Sequence, residues 1–396
     1  MVNKYHDTTF YLICSNIKDF KFINEIFGME KGNQVLIKQA KLMASNPSER
    51  TICARLMNDR FALCLPREEF DEKRVADSVK ELQREFSGNS FHLHTYMGVY
   101  EIRDRYEAVS IMVDKANIAA DTIKNNYDCC VAYYDEHLLE ISIEQRRLLG
   151  EFEPALQKGE FVMYLQPQVN RDGAAKGAEA LVRWAHPSRG ILTPYAFIDI
   201  LENAGLIYKL DLYIWEKAAQ KLAEWKEKGY GSYHISVNIS TKDFYIIDIY
   251  ETFTGLINKY GIAASNLHLE ITETTLMTDF EKNMNIIHKL QGVGFRVEID
   301  DFGSGYSSLN MLKDISADVL KIDMGFLRKS ENEVKGQDIL ESIITLAGKI
   351  GMDVITEGVE TKKQLDMLTM MGCHEFQGYY FSKPVPVSEF EEKYLV

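Results

Sequence analysis

At 396 residues the chain is long for one domain, and the usual range of domain sizes predicts two. With 46% hydrophobic and 26% charged residues it carries enough apolar material for sizeable cores, which excludes an extensively disordered chain. A formal net charge of -14 excludes general attraction to a nucleic-acid backbone, so DNA and RNA duplexes are not expected partners, and an anionic substrate would have to be held by placed cations or metal ions.

The start, Met1 to Asp7, has no basic region followed by an apolar segment. No apolar run approaches the roughly 18 residues of a membrane span, so membrane insertion is not expected and the cytoplasm is the expected location. The cysteines Cys14, Cys53, Cys64, Cys129, Cys130 and Cys373 show no CxxC or Cys/His spacing and read as small hydrophobes in a reducing compartment.

From about residue 8 to 134, strand-like and helix-like stretches alternate: Phe10 to Cys14, Phe20 to Phe27 with Val35 to Met43, Ile52 to Leu56, and Phe61 to Leu65. That pattern predicts a small α/β domain over residues 1–135. The segments Asn16-Ile17-Lys18-Asp19-Phe20 and Ala54-Arg55-Leu56-Met57-Asn58-Asp59-Arg60-Phe61 resemble the GGDEF domain of diguanylate cyclases. In that family two acids flank the isoleucine, and a Gly-Gly-Asp-Glu-Phe hairpin supplies the turn and a further acid. Here Asn16, Lys18 and Met57-Asn58-Asp59-Arg60-Phe61 stand in those places, with cations where Mg²⁺ needs carboxylates and a side chain where the nucleotide needs room. The Arg-x-x-Asp product-inhibition motif is also missing, with Ser48 and Thr51 at the matching positions. The resemblance therefore implies a degenerate domain that acts as scaffold or regulator, and Asp59 reads as a turn residue.

Residues 136–157 read as a helical connector whose incomplete stripe (Leu138, Leu139, Ile141, Leu148, Leu149, Phe152) packs on a neighbouring domain or pairs with its copy in a homodimer. The N-terminal domain could also meet a protein partner.

Over residues 158–396 eight short apolar runs alternate with helix-length stretches: Phe161 to Leu165, Ala178 to Trp184, His234 to Ile239, Leu267 to Ile271, Val297 to Asp300, Val319 to Ile322, Asp353 to Thr356 and Glu375 to Phe381. This predicts a (β/α)8 TIM-type barrel, with its site at the carboxyl ends of the strands. Polar residues in those runs then converge on one mouth: Glu179, Asn238, Glu270, Asp300, Asp301, Lys321, Glu357 and Gln377. Carboxylates and an amide oxygen suit hard divalent cations such as Mg²⁺ or Mn²⁺ and argue against zinc there. Asp300 is the expected bridge between two ions of a phosphodiesterase site. Lys321, in an otherwise apolar strand, would point into the site to hold a water or stabilise phosphate charge, with pairing to Asp318 or Asp323 as the alternative. Glu357 is a metal ligand or the acceptor of the water's proton. The two adjacent acids followed by Gly303 and Gly305 predict a mobile flap beside the metals.

At these residues the chain resembles the EAL family of cyclic di-GMP phosphodiesterases, named for a triplet present here as Glu179-Ala180-Leu181, with seven motifs in family order from about Leu148 onward. The resemblance implies hydrolysis of cyclic di-GMP to pGpG with two divalent ions. It makes Glu179, Asn238, Glu270, Asp300, Asp301 and Glu357 metal ligands, and Lys321 and Gln377 assistants at the water. It further implies a phosphate contact for Arg183, a place on the guanine side for Gln166, and flap anchoring for Glu273. Ser304, Met324 and Thr356 depart from the family pattern without removing a ligand. The alternative function is a non-catalytic cyclic di-GMP receptor that reports to a partner. His234 and His268 lack ligand spacing in the sequence and read as structural.

Overall fold

The computed structural model describes residues 1–18, 20–44, 48–86, 93–124, 126, 129–302, 315–323 and 333–395. Its contacts divide the chain into two compact units, Met1–Arg147 and Leu148–Val396, and the division falls inside one helix, Glu136–Lys158. None of the described helices is long and apolar enough to cross a membrane.

Among the described residues the first unit is built on five strands: β1 (Phe10–Ile17), β2 (Ile52–Arg55), β3 (Phe61–Pro66), β4 (Thr95–Glu101) and β5 (Val131–Tyr133), in the order β2-β3-β1-β4-β5. Side chains of β1 alternate between two apolar layers, as a pleated strand requires. Tyr11, Ile13 and Ile17 meet Val35, Leu36, Val79 and Leu82 on one face. Phe10, Leu12 and Cys14 meet Met112 and Ala116 on the other. The second layer is tight at Gly98, where a Cβ would stand 1.8 Å from the Ala116 carbonyl, so glycine lets the helix Val109–Asp121 lie against β4. All six cysteines are free, and Cys14 and Cys373 are buried as expected of small hydrophobes. Cys53 differs, because it lies on the edge strand β2 and is exposed.

In the second unit the strands are β6 (Phe161–Val169), β7 (Ala175–His186), β8 (Gly190–Leu192), β9 (His234–Ile239), β10 (Leu267–Thr272), β11 (Val297–Phe302), β12 (Val319–Asp323), β13 (Asp353–Glu357), β14 (Glu375–Phe376) and β15 (Val385–Pro386). Eight of them close a barrel in the order β6-β14-β13-β12-β11-β10-β9-β7, with β7 pairing back to β6; β8 and β15 are appended at the two ends of the sheet order. Neighbours from β7 through β14 run parallel. The strict strand-helix alternation expected from the sequence fails at the start, because β6 is antiparallel to both β7 and β14. A parallel connection needs a crossover of about a dozen residues. Here residues 170–174 close a hairpin, with Asn170 Oδ1 accepting from the backbone of Asp172 and Ala174. The last strand is also shorter than expected, so Gln377 stands just beyond β14.

Alternation along the barrel strands turns Ile235, Val237, Leu269, Ile271, Val297 and Ile299 into the buried apolar core. The opposite parity carries Ser236, Asn238, His268, Glu270, Glu298, Asp300 and Lys321. The column inside the barrel is therefore polar near both ends of the strands.

Candidate functional site

The carboxyl ends of the barrel strands gather acids around one lysine. Lys321, on β12, is 1% exposed at its side chain, and its Nζ lies 2.6 Å from Glu357 Oε1, 3.4 Å from Glu179 Oε2 and 3.5 Å from Asp300 Oδ1; it also meets Glu270 Oε1. Four acidic side chains thus share one ammonium. Burial alone would lower the Lys321 pKa, but Glu179, Glu270, Glu357 and Asp300 drive it well above the ordinary lysine value, so it stays charged. The alternative partners considered from the sequence are taken elsewhere or lie at the rim: Asp318 accepts from Gln291 Nε2 and from the Val297 amide, and Asp323 ends β12 beside Glu357.

Crowding of like charge shows in the acids. Burial, then Glu179, raises Glu270 well above the usual carboxylate range. Burial pushes Glu357 up to about 8 against the pull of Lys321, with Asp300 and Glu179 adding to the rise. Glu179, Glu270 and Glu357 each bring a carboxylate oxygen within 4.8 Å of the others. Glu270 Oε2 is buried with no hydrogen-bond partner among the described residues, and Gln377 Oε1 is the same. A buried oxygen without a donor beside surplus negative charge fits a divalent cation bound by oxygen ligands.

Amides complete the arrangement. Asn238 Nδ2 donates to Glu179 Oε1 at 3.1 Å, leaving its carbonyl oxygen for a ligand, and Gln377 Nε2 donates to Glu179 Oε2 at 2.5 Å and to Gln166 Oε1 at 3.3 Å. Gln166 and Glu179 are register partners on β6 and β7, so the antiparallel hairpin brings the amide to the acid.

Asp300 and Asp301 are adjacent, and in a regular strand they would point to opposite faces. Pairing of β11 with β12 shifts register between Ile299 and Phe302, and Asp301 adopts a left-handed φ of 56°. This irregularity re-aims the second acid, as strand bulges do beside sites. Partial desolvation, then Asp300 and Asp323, raises the Asp301 carboxyl. Asp323, weighed in the sequence only as a partner for Lys321, stands two residues past it and shares its face.

Arg183 lies further along β7, half-buried; its Nη1 donates to the Val182 carbonyl at 2.8 Å and its guanidinium sits 5.5 Å over the Tyr164 ring. Tyr379 lies in its field, and this Tyr164–Arg183–Tyr379 group was likewise not singled out in the sequence. Glu273 opens the helix Glu273–Thr278, which Thr272 caps through a bond from the Thr275 amide. The flap it was expected to anchor, including Gly303, Ser304 and Gly305, lies outside the described residues, as does Met324.

Beside the mouth, a cavity of about 280 Å³ is lined by Val182, Asp211, Trp215, Asn238, Thr241 and Thr272. Asp211, on the helix Ile207–Glu227, lies in the field of Asp243, whose Oδ2 accepts from the Ser240 amide at 2.8 Å. Burial and the Asp243 charge raise the Asp211 carboxyl well above its usual range.

In the first unit the matching positions do something different. The β2–β3 hairpin turns at Met57 to Arg60, with Leu56 N donating to Arg60 O and Arg60 N to Met57 O. Asn58 takes a left-handed φ of 54°, and Met57 is 73% exposed at the tip. Asp59 is more than a turn residue, since its Oδ2 accepts the Ile17 amide at 3.1 Å and ties the hairpin to β1. Asn16 Nδ2 donates to Tyr96 Oη.

A family model for the EAL domain matches residues 150–384, and one for the diguanylate cyclase GGDEF domain matches residues 2–128. The chain is similar to MucR of Pseudomonas aeruginosa, named a bifunctional diguanylate cyclase/cyclic di-GMP phosphodiesterase, with 30% identity over 393 residues covering 97% of this chain and 57% of MucR. It is also similar to NbdA of the same species, named a cyclic di-GMP phosphodiesterase, with 28% identity covering 95% of this chain and 49% of NbdA. The chain therefore spans about half the length of these curated relatives. Among solved structures, a PaMucR phosphodiesterase in complex with cyclic di-GMP is similar at a TM-score of 0.59 and 33% identity, covering 62% of this chain and 99% of the other.

Proposed function

This chain belongs to the EAL-domain family and carries a GGDEF domain ahead of its EAL domain, and from that premise we propose that it hydrolyses cyclic di-GMP to linear pGpG. The observation that carries the reading is the convergence of Glu179, Glu270, Asp300 and Glu357 on the buried Lys321. Those acids, with Asp301 and the Asn238 carbonyl oxygen, would hold two divalent ions, Mg²⁺ or Mn²⁺. When bound, such ions neutralise phosphodiester charge and make water more acidic.

The chain's own groups then do the rest. Lys321 supplies a fixed positive charge for the phosphate oxygens as negative charge builds on them. Gln377, held by Glu179 and Gln166, orients the attacking water. Water oxygen bonds to phosphorus, one P–O3′ bond breaks, and the departing 3′ oxygen takes a proton. Glu357 either joins the ligands or accepts the proton from the water. Arg183, whose guanidinium lies over Tyr164, would contact a substrate phosphate, and Gln166 would line the guanine side.

We assign the GGDEF domain a regulatory or scaffolding role, because Lys18 and Arg60 replace carboxylates and Met57 and Asn58 replace glycines. Incubation of the full chain with GTP and Mg²⁺ is expected to give no cyclic di-GMP.

Incubation with cyclic di-GMP and Mn²⁺ or Mg²⁺, resolved by chromatography, tests the main reading. Linear pGpG should form, stop on addition of EDTA, and fall at least about 100-fold in Glu179→Ala, since ligand loss exceeds the usual cost of losing an outer contact. Tight binding of intact substrate without cleavage would make the chain a receptor instead.

A further inference from the structure

The β6–β7 hairpin runs on past the acid ring. Its register partners form successive rows, Gln166 with Glu179, then Tyr164 with Leu181, then Val162 with Arg183. Directly opposed residues of an antiparallel pair share a face, so these rows line the side of the hairpin that carries Glu179. The alternate residues Phe161, Met163, Leu165, Ala178 and Ala180 belong to the buried apolar core on the other side. Arg183 therefore stands two rows beyond Glu179, about 13 Å along the strand at 3.3 Å per residue.

An arginine so far out can extend into water, and this one turns back. Its Cζ lies 5.5 Å from the centre of the Tyr164 ring, in the row between Arg183 and Glu179, and its Nη1 donates to the Val182 carbonyl at 2.8 Å. Nε and Nη2 have no acceptor among the described residues. Tyr164 is held in turn by strands on both sides, being paired with Leu181 on β7 and with Pro386 on β15. Its hydroxyl has no hydrogen-bond partner among the described residues, so the ring face is what it offers.

The other tyrosine near Arg183 serves a different cation. A Cβ at position 378 would stand 2.2 Å from the Val359 carbonyl, so glycine lets the chain pass close there between Gln377 and Tyr379. Lys383 Nζ then lies 5.4 Å from the centre of the Tyr379 ring. Tyr164 is thus the platform for Arg183.

We infer that Tyr164 is a positioning residue for substrate: its ring holds the Arg183 guanidinium over the mouth, with Nε and Nη2 free for the phosphate of cyclic di-GMP that is not cut. The inference rests on the hydrolysis proposed above. A guanidinium already held loses less freedom when it grips a phosphate, and its planar fork suits two hydrogen bonds to one phosphate group. Removing a cation–π platform of this kind weakens the grip by about 2- to 30-fold. The contact lies two rows from the acids that serve the reacting bond, so its loss falls on KM and not on kcat.

Initial rates of cyclic di-GMP hydrolysis by the full chain with Mg²⁺ test this. Tyr164→Leu should raise KM at least about fivefold with kcat changed by less than about twofold, and Tyr164→Phe, which keeps the ring, should stay within about twofold of wild type in both. In the Arg183→Ala background Tyr164→Leu should add less than about twofold, as a residue that acts through another does. Circular dichroism shows whether each variant folds, and Tyr164→Gln, at this half-buried position, decides if Tyr164→Leu does not fold. An unchanged KM in Tyr164→Leu, an equal loss in Tyr164→Phe, or a full additional loss in the double variant overturns the inference while hydrolysis by the wild type stands. If the wild type binds cyclic di-GMP without cutting it, Kd replaces KM with the same expectations. A wild type that neither binds nor cuts overturns this inference together with the reading beneath it.

Discussion

The barrel mouth and the β2–β3 hairpin are the same kind of place, a strand end where backbone geometry delivers polar side chains, yet they carry opposite charge. At the mouth, four acidic side chains meet one buried ammonium. At the hairpin, Arg60 stands beside the one remaining acid, and that acid is spent on the Ile17 amide. The hairpin still turns, with Asn58 taking the left-handed φ that glycine would adopt. The packing and turn geometry of this hairpin thus depend on different residues from those that would hold a ligand.

The contrast is sharpest at Lys321. Replacing it in Lys321→Met leaves Glu179, Glu270, Asp300 and Glu357 without their shared cation, and unpairing buried charge costs about 3–5 kcal/mol. The metal-free variant should unfold at a markedly lower temperature, recover part of the loss on adding Mg²⁺ or Mn²⁺, and hydrolyse cyclic di-GMP at least about 100-fold more slowly. An unchanged Tm without metal would mean that the mouth is not under electrostatic load, and the contrast with the hairpin would dissolve.

A smaller effect tests whether the cost of acidity extends beyond the ligands. Asp211 is raised by burial and by Asp243, so folding favours its protonated form. For an acid shifted upward, the stability it contributes is present below the unfolded pKa near 3.9 and is lost as pH rises toward the folded value. Asp211→Asn holds the neutral form at every pH and keeps a donor for Asp243. Its Tm should match wild type near pH 4 and exceed it by about 2–4 °C at neutral pH, the shift that ~1 kcal/mol produces in a domain of this size. An equal gain at both pH values would point to packing rather than charge.

Most of the barrel and its mouth were legible because a parallel strand buried on both faces announces itself as an apolar run, so a carboxylate or lysine inside it stands out. Lys321 and Glu270 were visible for that reason. The antiparallel β6 was not, since strand direction depends on whether residues 170–174 make a turn, and the apolar runs read the same either way. Asp323 was weighed only as a partner for Lys321, although its parity with Lys321 was available. The clustering of His234, His268 and Glu298 was not legible because neighbouring strands bring together residues some thirty positions apart, which leaves no spacing to read along the sequence. The hairpin residue Asp59 was read by its local turn, and its long-range bond to β1 has no sequence signature.

That bond gives the mildest test. Asp59→Ala removes one of the two acceptors of the Ile17 amide and leaves Asn16 Oδ1 at 3.1 Å, so the partly buried contact is worth at most about 1 kcal/mol. If Asp59 serves only to join hairpin and strand, the variant should lose that much stability while cyclic di-GMP hydrolysis keeps its full rate, and Asp59→Asn, which retains an acceptor oxygen, should recover most of the loss. A drop in hydrolysis without a drop in Tm would give this hairpin a regulatory role that its charge does not suggest, and the division of labour between a chemical barrel and a structural first unit would need to be redrawn.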